Sequence, residues 1–165
     1  MKQIGISADS NMVSFDGQAY SSSCLVRTSA NGLRPTHVAS QVHLSTNADG
    51  SDGKPVMPKV YPTGTWNVID VHPMVNPNTD LGPIVVRTDA HQILRVWALD
   101  ANGGYDHETD EEVMDWGYEI HYCDPIQFGI YTVGCVHISQ KSDIIAFANA
   151  VQAALVEGPI QVVSA

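Results

Sequence analysis

The chain predicts a mostly β fold, a mixed sheet or sandwich with one late α-helix, and three observations carry that expectation. Short β-branched, partly alternating runs recur through the first half and are separated by turn-forming clusters. Near the C-terminus a single stretch, residues 143–157, carries apolar side chains at helical spacing. The length of 165 residues, with 44% hydrophobic and 16% charged side chains, suits one domain (1–165) whose core needs no disulfide support.

The elements follow in order. Residues 24–28 (CLVRT), 38–44 (VASQVHL) and 64–71 (GTWNVIDV) read as strands. Between the second and third lies 45–58, dense in Gly, Asp, Asn, Ser and Pro, which reads as an exposed loop. Residues 84–87 and 93–99 are two further strands, with the polar Thr88-Asp89-Ala90-His91 between them. Residues 100–115 are turn-rich and acidic, the pattern of a solvated loop or of a lid over a site. Ser142 is placed to cap a helix over 143–157, with Asp143 near the positive end of its dipole. Ile144, Ala148, Val151 and Leu155 share one face of that helix. Gly158-Pro159 stops it, and 160–163 returns as a strand.

Composition excludes several classes. A net charge of −10 offers no Lys/Arg cluster to displace the counterions of nucleic acid. No stretch approaches a membrane span, and Met1-Lys2-Gln3-Ile4-Gly5-Ile6 lacks the apolar region of a Sec signal peptide. Three cysteines, Cys24, Cys123 and Cys135, do not make a disulfide scaffold, although a Cys123–Cys135 bridge stays open as an alternative to a reactive thiol.

His121 and Cys135 are the most informative pair. A thiol directly after Gly134, with an imidazole upstream, fits a nucleophile and its base, because His takes the thiol proton and leaves the more reactive thiolate. The structural alternative is a buried thiol in an apolar run, since Cys is among the most buried residue types. On a strand Ile120 and Tyr122 share one face and His121 takes the other, so one strand both anchors in the core and presents an imidazole. Gly134 permits a sharp turn, and the backbone N–H groups there are suited to an oxyanion hole.

Three separated segments resemble, in order, the L,D-transpeptidase (YkuD-type) family. They are Tyr61-Pro62-Thr63-Gly64-Thr65-Trp66, then Trp116-Gly117-Tyr118-Glu119-Ile120-His121, then Thr132-Val133-Gly134-Cys135-Val136-His137-Ile138-Ser139 followed by Asp143. Leu81-Gly82-Pro83 resembles a further short family segment, and the resemblance is strongest over 56–157. It implies Cys135 as acyl-accepting nucleophile, His121 as base and acid, the backbone carbonyl of Tyr122 orienting the imidazole, and Gly134 in the catalytic turn. It implies substrate contacts from Tyr118, Thr132, His137 and Trp116, with no cofactor and no metal. The reaction implied is attack on a peptidoglycan stem peptide, giving a thioester resolved by an amine (L,D-transpeptidase) or by water (L,D-carboxypeptidase). Two positions depart from the family pattern. Val133 stands where a His usually precedes Gly-Cys, and the spacing from His121 to Cys135 is a few residues shorter. Action on the cell wall without a Sec signal implies delivery by a secretion machine or a phage, and an antibacterial effector of that kind implies an immunity partner.

Two other classes compete with the enzyme reading. His121-x-Cys123 and Cys135-x-His137 put four soft ligands on paired strand faces, a Cys₂His₂ set that a zinc-stabilised domain would use. A non-catalytic phage tail or structural module would retain the fold without the chemistry. Elsewhere, Asp124 before Pro125 reads as a turn former, His72 as a strand-end position, His43 as solvent-facing or hydrogen-bonded, Cys24 as a structural thiol, and Trp66 and Trp97 as core aromatics.

Overall fold

The computed structural model describes residues 1–7, 11–23, 61–79, 81–99, 105–122 and 135–165, with the backbone alone for 23, 92–99 and 105–116. Among these residues the chain is mostly strand with a single helix. It begins with β1 (Gln3–Ser7), β2 (Met12–Phe15) and β3 (Gln18–Ser23), an antiparallel meander. The two-residue link Asp16-Gly17 has positive φ at both positions, 51° and 80°. Asp-Gly favours the tight turn whose twist matches flanking strands. Sequence reading passed over this meander because its strands are short and rich in Ser and Gln.

Next come β4 (Gly64–Pro73) and β5 (Ile84–Thr88), where expected and each slightly longer. Then β6 (His91–Leu99) pairs with β7 (Tyr105–Trp116) as a two-stranded ribbon. The expectation of a loop over 100–115 is therefore corrected over 105–115, which is strand. Its acidic residues argue against a strand on propensity. The backbone register sets Ile93 opposite Met114 and Leu94 opposite Val113. After the ribbon, β8 (Glu119–His121) pairs back onto β5, and β9 (Val136–Ile138) lies parallel to β8. The chain closes with α1 (Lys141–Glu157) and β10 (Gln161–Ser164).

Eight of these strands form a closed mixed barrel in the order β1-β10-β4-β5-β8-β9-β3-β2. The expected mixed sheet is thus present and curls shut. Only β1–β10 and β8–β9 are parallel. Side chains from β1, β2, β4, β5, β8, β9 and β10 meet α1 in one core that includes Ile4, Phe15, Val86, Ile120, Ile138 and Val162. Phe147 lies at its centre, edge-on to Phe15 at 6.3 Å and to Tyr20 at 5.5 Å. Of the expected helix face Ile144, Ala148 and Val151 are buried, joined by Phe147 and Ala154, while Leu155 is only partly buried.

Ser142 does not cap the helix. The N-cap is Gln140, extended at φ −118° and ψ 135°, and no side chain caps it. Its carbonyl accepts from the backbone N–H of Asp143 and Ile144, both at 3.1 Å, so Ser142 falls inside the first turn. Asp143 keeps its expected place there. Gly158 ends the helix in extended backbone and β10 follows, one residue beyond the expected strand. The expected strands 24–28 and 38–44, the loop 45–58, and Cys24, His43, Cys123 and Asp124 lie outside the described residues.

Candidate active site

His121 ends β8, and the parallel register places it opposite His137 of β9 and, on its other side, Val85 of β5. Alternation explains the division of labour. Ile120, Val136 and Ile138 enter the core, so His121, His137 and Val85 form a row on the opposite face. All three are buried, with exposures of 3%, 6% and 2%. The two imidazoles meet edge to face with ring centroids 4.6 Å apart.

His121 Nδ1 lies 3.3 Å from the carbonyl oxygen of Tyr122. A carbonyl only accepts, so Nδ1 carries the proton and Nε2 keeps its lone pair. Burial pulls the pKa of His121 down to about 4, with the Tyr122 carbonyl opposing that shift. At neutral pH the ring is an uncharged imidazole with one nitrogen committed to structure and the other available as a base.

Cys135 immediately precedes β9 and is a half-buried thiol. Neighbouring strands about 4.8 Å apart, with an offset of two residues, put its Cα roughly 8 Å from that of His121. Its Sγ lies 4.0 Å from the carbonyl oxygen of Gly117, just upstream of β8. The neighbouring Tyr118 carbonyl is tied into a buried relay. Tyr61 and Thr88 hydroxyls are 2.5 Å apart, and Thr88 donates to the Tyr118 carbonyl at 2.6 Å. With the Thr88 proton used in this way, Tyr61 is the donor to Thr88. Burial raises the Tyr61 pKa, and the negative charge of a Cys135 thiolate acts in the same direction, so Tyr61 stays protonated.

The segment 61–66 is therefore an anchor. Tyr61 is buried, and the Trp66 indole donates to the Pro62 carbonyl at 2.9 Å. Trp66 is partly buried against the core, as expected, and stacks edge-on with His91 at 4.9 Å. Of the residues expected to contact substrate, Tyr118 is only 3% exposed and packs edge-on against Tyr61 at 6.0 Å. Its ring fills the core and presents no face for stacking, which corrects the expectation. Trp116 sits opposite His91 at the end of β7, where its backbone alone is described. Thr132 and Gly134 lie outside the described residues. His72 lies exposed near the end of β4.

Beside this row runs a second one, Asp70, Arg87 and Glu119 across β4, β5 and β8. Arg87 donates to Asp70 through Nε and Nη2, which lowers the Asp70 pKa. Burial raises that of Glu119. Among the described residues no group of three or more His, Cys, Asp or Glu side chains is arranged to hold a metal, and the zinc set expected from sequence requires Cys123, which lies outside them. No described helix is long and apolar enough to cross a membrane. Comparison with protein-family models, curated proteins and solved structures finds no match to the chain.

Two contributors escaped sequence reading. Thr88 belongs to β5 and not to a polar link: its place after Ile84-Val85-Val86-Arg87 continues the alternation into the core. Gly82, named only within a short resembling segment, touches the Tyr122 carbonyl.

Proposed function

We propose that the chain is a cysteine-dependent enzyme of the L,D-transpeptidase type acting on peptidoglycan stem peptides. The observation that carries this reading is the state of His121: buried, uncharged, tied through Nδ1 to the next residue's carbonyl, and one strand away from the Cys135 thiol. His121 Nε2 takes the thiol proton as Sγ attacks a stem-peptide carbonyl. The C–N bond then breaks, the amine leaves with the proton returned by His121, and the acyl group stays on Sγ as a thioester. Water or a second amine adds to that thioester, His121 again holding the transferred proton, and the thiol is regenerated. Because neutral His121 is the stable form, the resting pair is thiol and imidazole, with charge separation arising during attack.

The deciding experiment incubates purified muropeptides with wild-type protein and with Cys135→Ala. Wild-type protein should shorten tetrapeptide stems or exchange their terminal residue, and the variant should do neither. Tetrapeptide stems left unchanged by wild-type protein sink the reading. Product masses tell trimming from exchange. Within the same proposal, the protein reaches the wall by a secretion machine or a phage, and a producing cell needs an immunity partner.

A further inference from the structure

We propose that Gly82 is a positioning residue for His121, its missing side chain allowing the turn at Thr79, Leu81 and Gly82 to press on the Tyr122 carbonyl and so fix which imidazole nitrogen carries the proton. The catalytic meaning of this rests on the function proposed above; the tautomer does not.

The contact is specific. Gly82 has φ +71°, and a Cβ built on it would lie 2.5 Å from the Tyr122 carbonyl oxygen and 3.2 Å from both its carbonyl carbon and its Cβ. These atoms belong mainly to backbone, so the clash cannot be relieved by turning a flexible side chain. The turn itself is pinned. Gly82 N–H donates to the Thr79 carbonyl at 3.0 Å, and Leu81 N–H donates to Thr79 Oγ1 at 3.3 Å. Met74 N–H donates to the Pro83 carbonyl at 2.9 Å, joining the turn to the end of β4. A fixed turn thus backs the same oxygen that accepts from His121 Nδ1 at 3.3 Å. Tyr122 follows β8 directly and Gly82 precedes β5, so this backing comes from a distant part of the chain. If the carbonyl swings away, Nδ1 loses its acceptor, and the ring gains freedom to carry its proton on Nε2, where it is useless as a base toward Cys135.

Gly82→Ala tests this. To reach ordinary van der Waals separation the carbonyl must retreat by about 1 Å, a misplacement on the scale that costs about 10²-fold in rate. Long-range ¹⁵N–¹H correlation spectra at pH 7 read the tautomer, with His121 assigned by its missing signals in His121→Gln. Wild-type protein should carry the His121 proton on Nδ1. Gly82→Ala should show Nε2–H in whole or part, with kcat on muropeptides down about 10²-fold and KM little changed. Gly17→Ala is the control for backbone strain alone, since Gly17 has φ +80° with nothing near its would-be Cβ. It should leave both tautomer and kcat as they are. Should Gly82→Ala not fold, Thr79→Ala loosens the same turn without adding a side chain and should produce a detectable Nε2–H fraction. Nε2–H in wild-type protein overturns the proposal, as does a folded Gly82→Ala that keeps the wild-type tautomer and kcat, or an unchanged spectrum in Thr79→Ala. If the spectra shift as expected while wild-type protein leaves muropeptides untouched, the positioning role stands and the enzymatic reading falls.

Discussion

His121 is a residue whose burial has a thermodynamic signature of its own. Its folded pKa of about 4 lies below the ordinary 6.5. Between these values the unfolded chain binds a proton that the folded chain refuses, so falling pH favours unfolding across that window. Above about pH 6.5 both states are neutral and the penalty vanishes; below about pH 4 it is fully developed. A shift of this size corresponds to about 3 kcal/mol. Urea unfolding at pH 7 and pH 4.5 should therefore show wild-type protein losing about 2 kcal/mol more than His121→Gln. Equal losses in the two proteins would mean that His121 protonates freely in the fold. Asp70, held low by Arg87, also withdraws stability as pH falls, at lower pH, whereas the raised Glu119 opposes the trend and is common to both proteins. At this scale strand alternation set His121 on the face opposite Ile120, while the role of the Tyr122 carbonyl came only as what the family resemblance implies. It did not reveal that Tyr118 faces the core or that Gly82 leans on Tyr122, since both depend on which strands become neighbours.

Among the elements, α1 shows how local signals and tertiary demand divide. Its end at Gly158 and its buried stripe were legible from spacing, but Phe147 was not assigned to that stripe, although it lies between Ile144 and Val151 and fills the gap between Phe15 and Tyr20. Phe147→Ala should cost about 3–5 kcal/mol, read from denaturant midpoints at unchanged m-value; a cost below about 1 kcal/mol would place the ring outside the core. The N-terminus of the same helix gives the opposite case. Gln140 occupies the cap without a side-chain bond, so Gln140→Ser should stabilise the protein by about 1 kcal/mol. A Ser hydroxyl at that extended position accepts from the N–H two or three residues on, whereas Ser142 is already within the helix and cannot. The β6–β7 ribbon marks where composition misled. Acidic residues lower strand propensity by less than the antiparallel ladder restores, even with its irregularity between Val96 and Ala98, and ladder partners are invisible in a single segment.

The whole molecule closes through its ends. β10 lies between β1, which it meets in parallel, and β4, which it meets antiparallel, so the last strand of the chain bridges the first strand to the middle of the barrel. Ile160 and Val162 are buried there, each side chain contributing about 1.5–3 kcal/mol. Their loss, with two backbone ladders, approaches the 5–15 kcal/mol that holds a typical domain together. Removing residues 160–165 would also leave β1 and β4 as unpaired edges, a template for association. The truncated chain should lose its cooperative thermal transition in circular dichroism and sediment as oligomers. A synthetic peptide of residues 159–165 supplied in excess should restore both the transition and the monomer, because it offers the missing ladders without the covalent link. A truncated chain that melts within a few degrees of the intact one would show that the barrel is held by α1 and the remaining seven strands. In that event β10 would be an accessory strand, and the His121–His137 pair, whose β8 lies two strands from β4 across β5, would be independent of barrel closure.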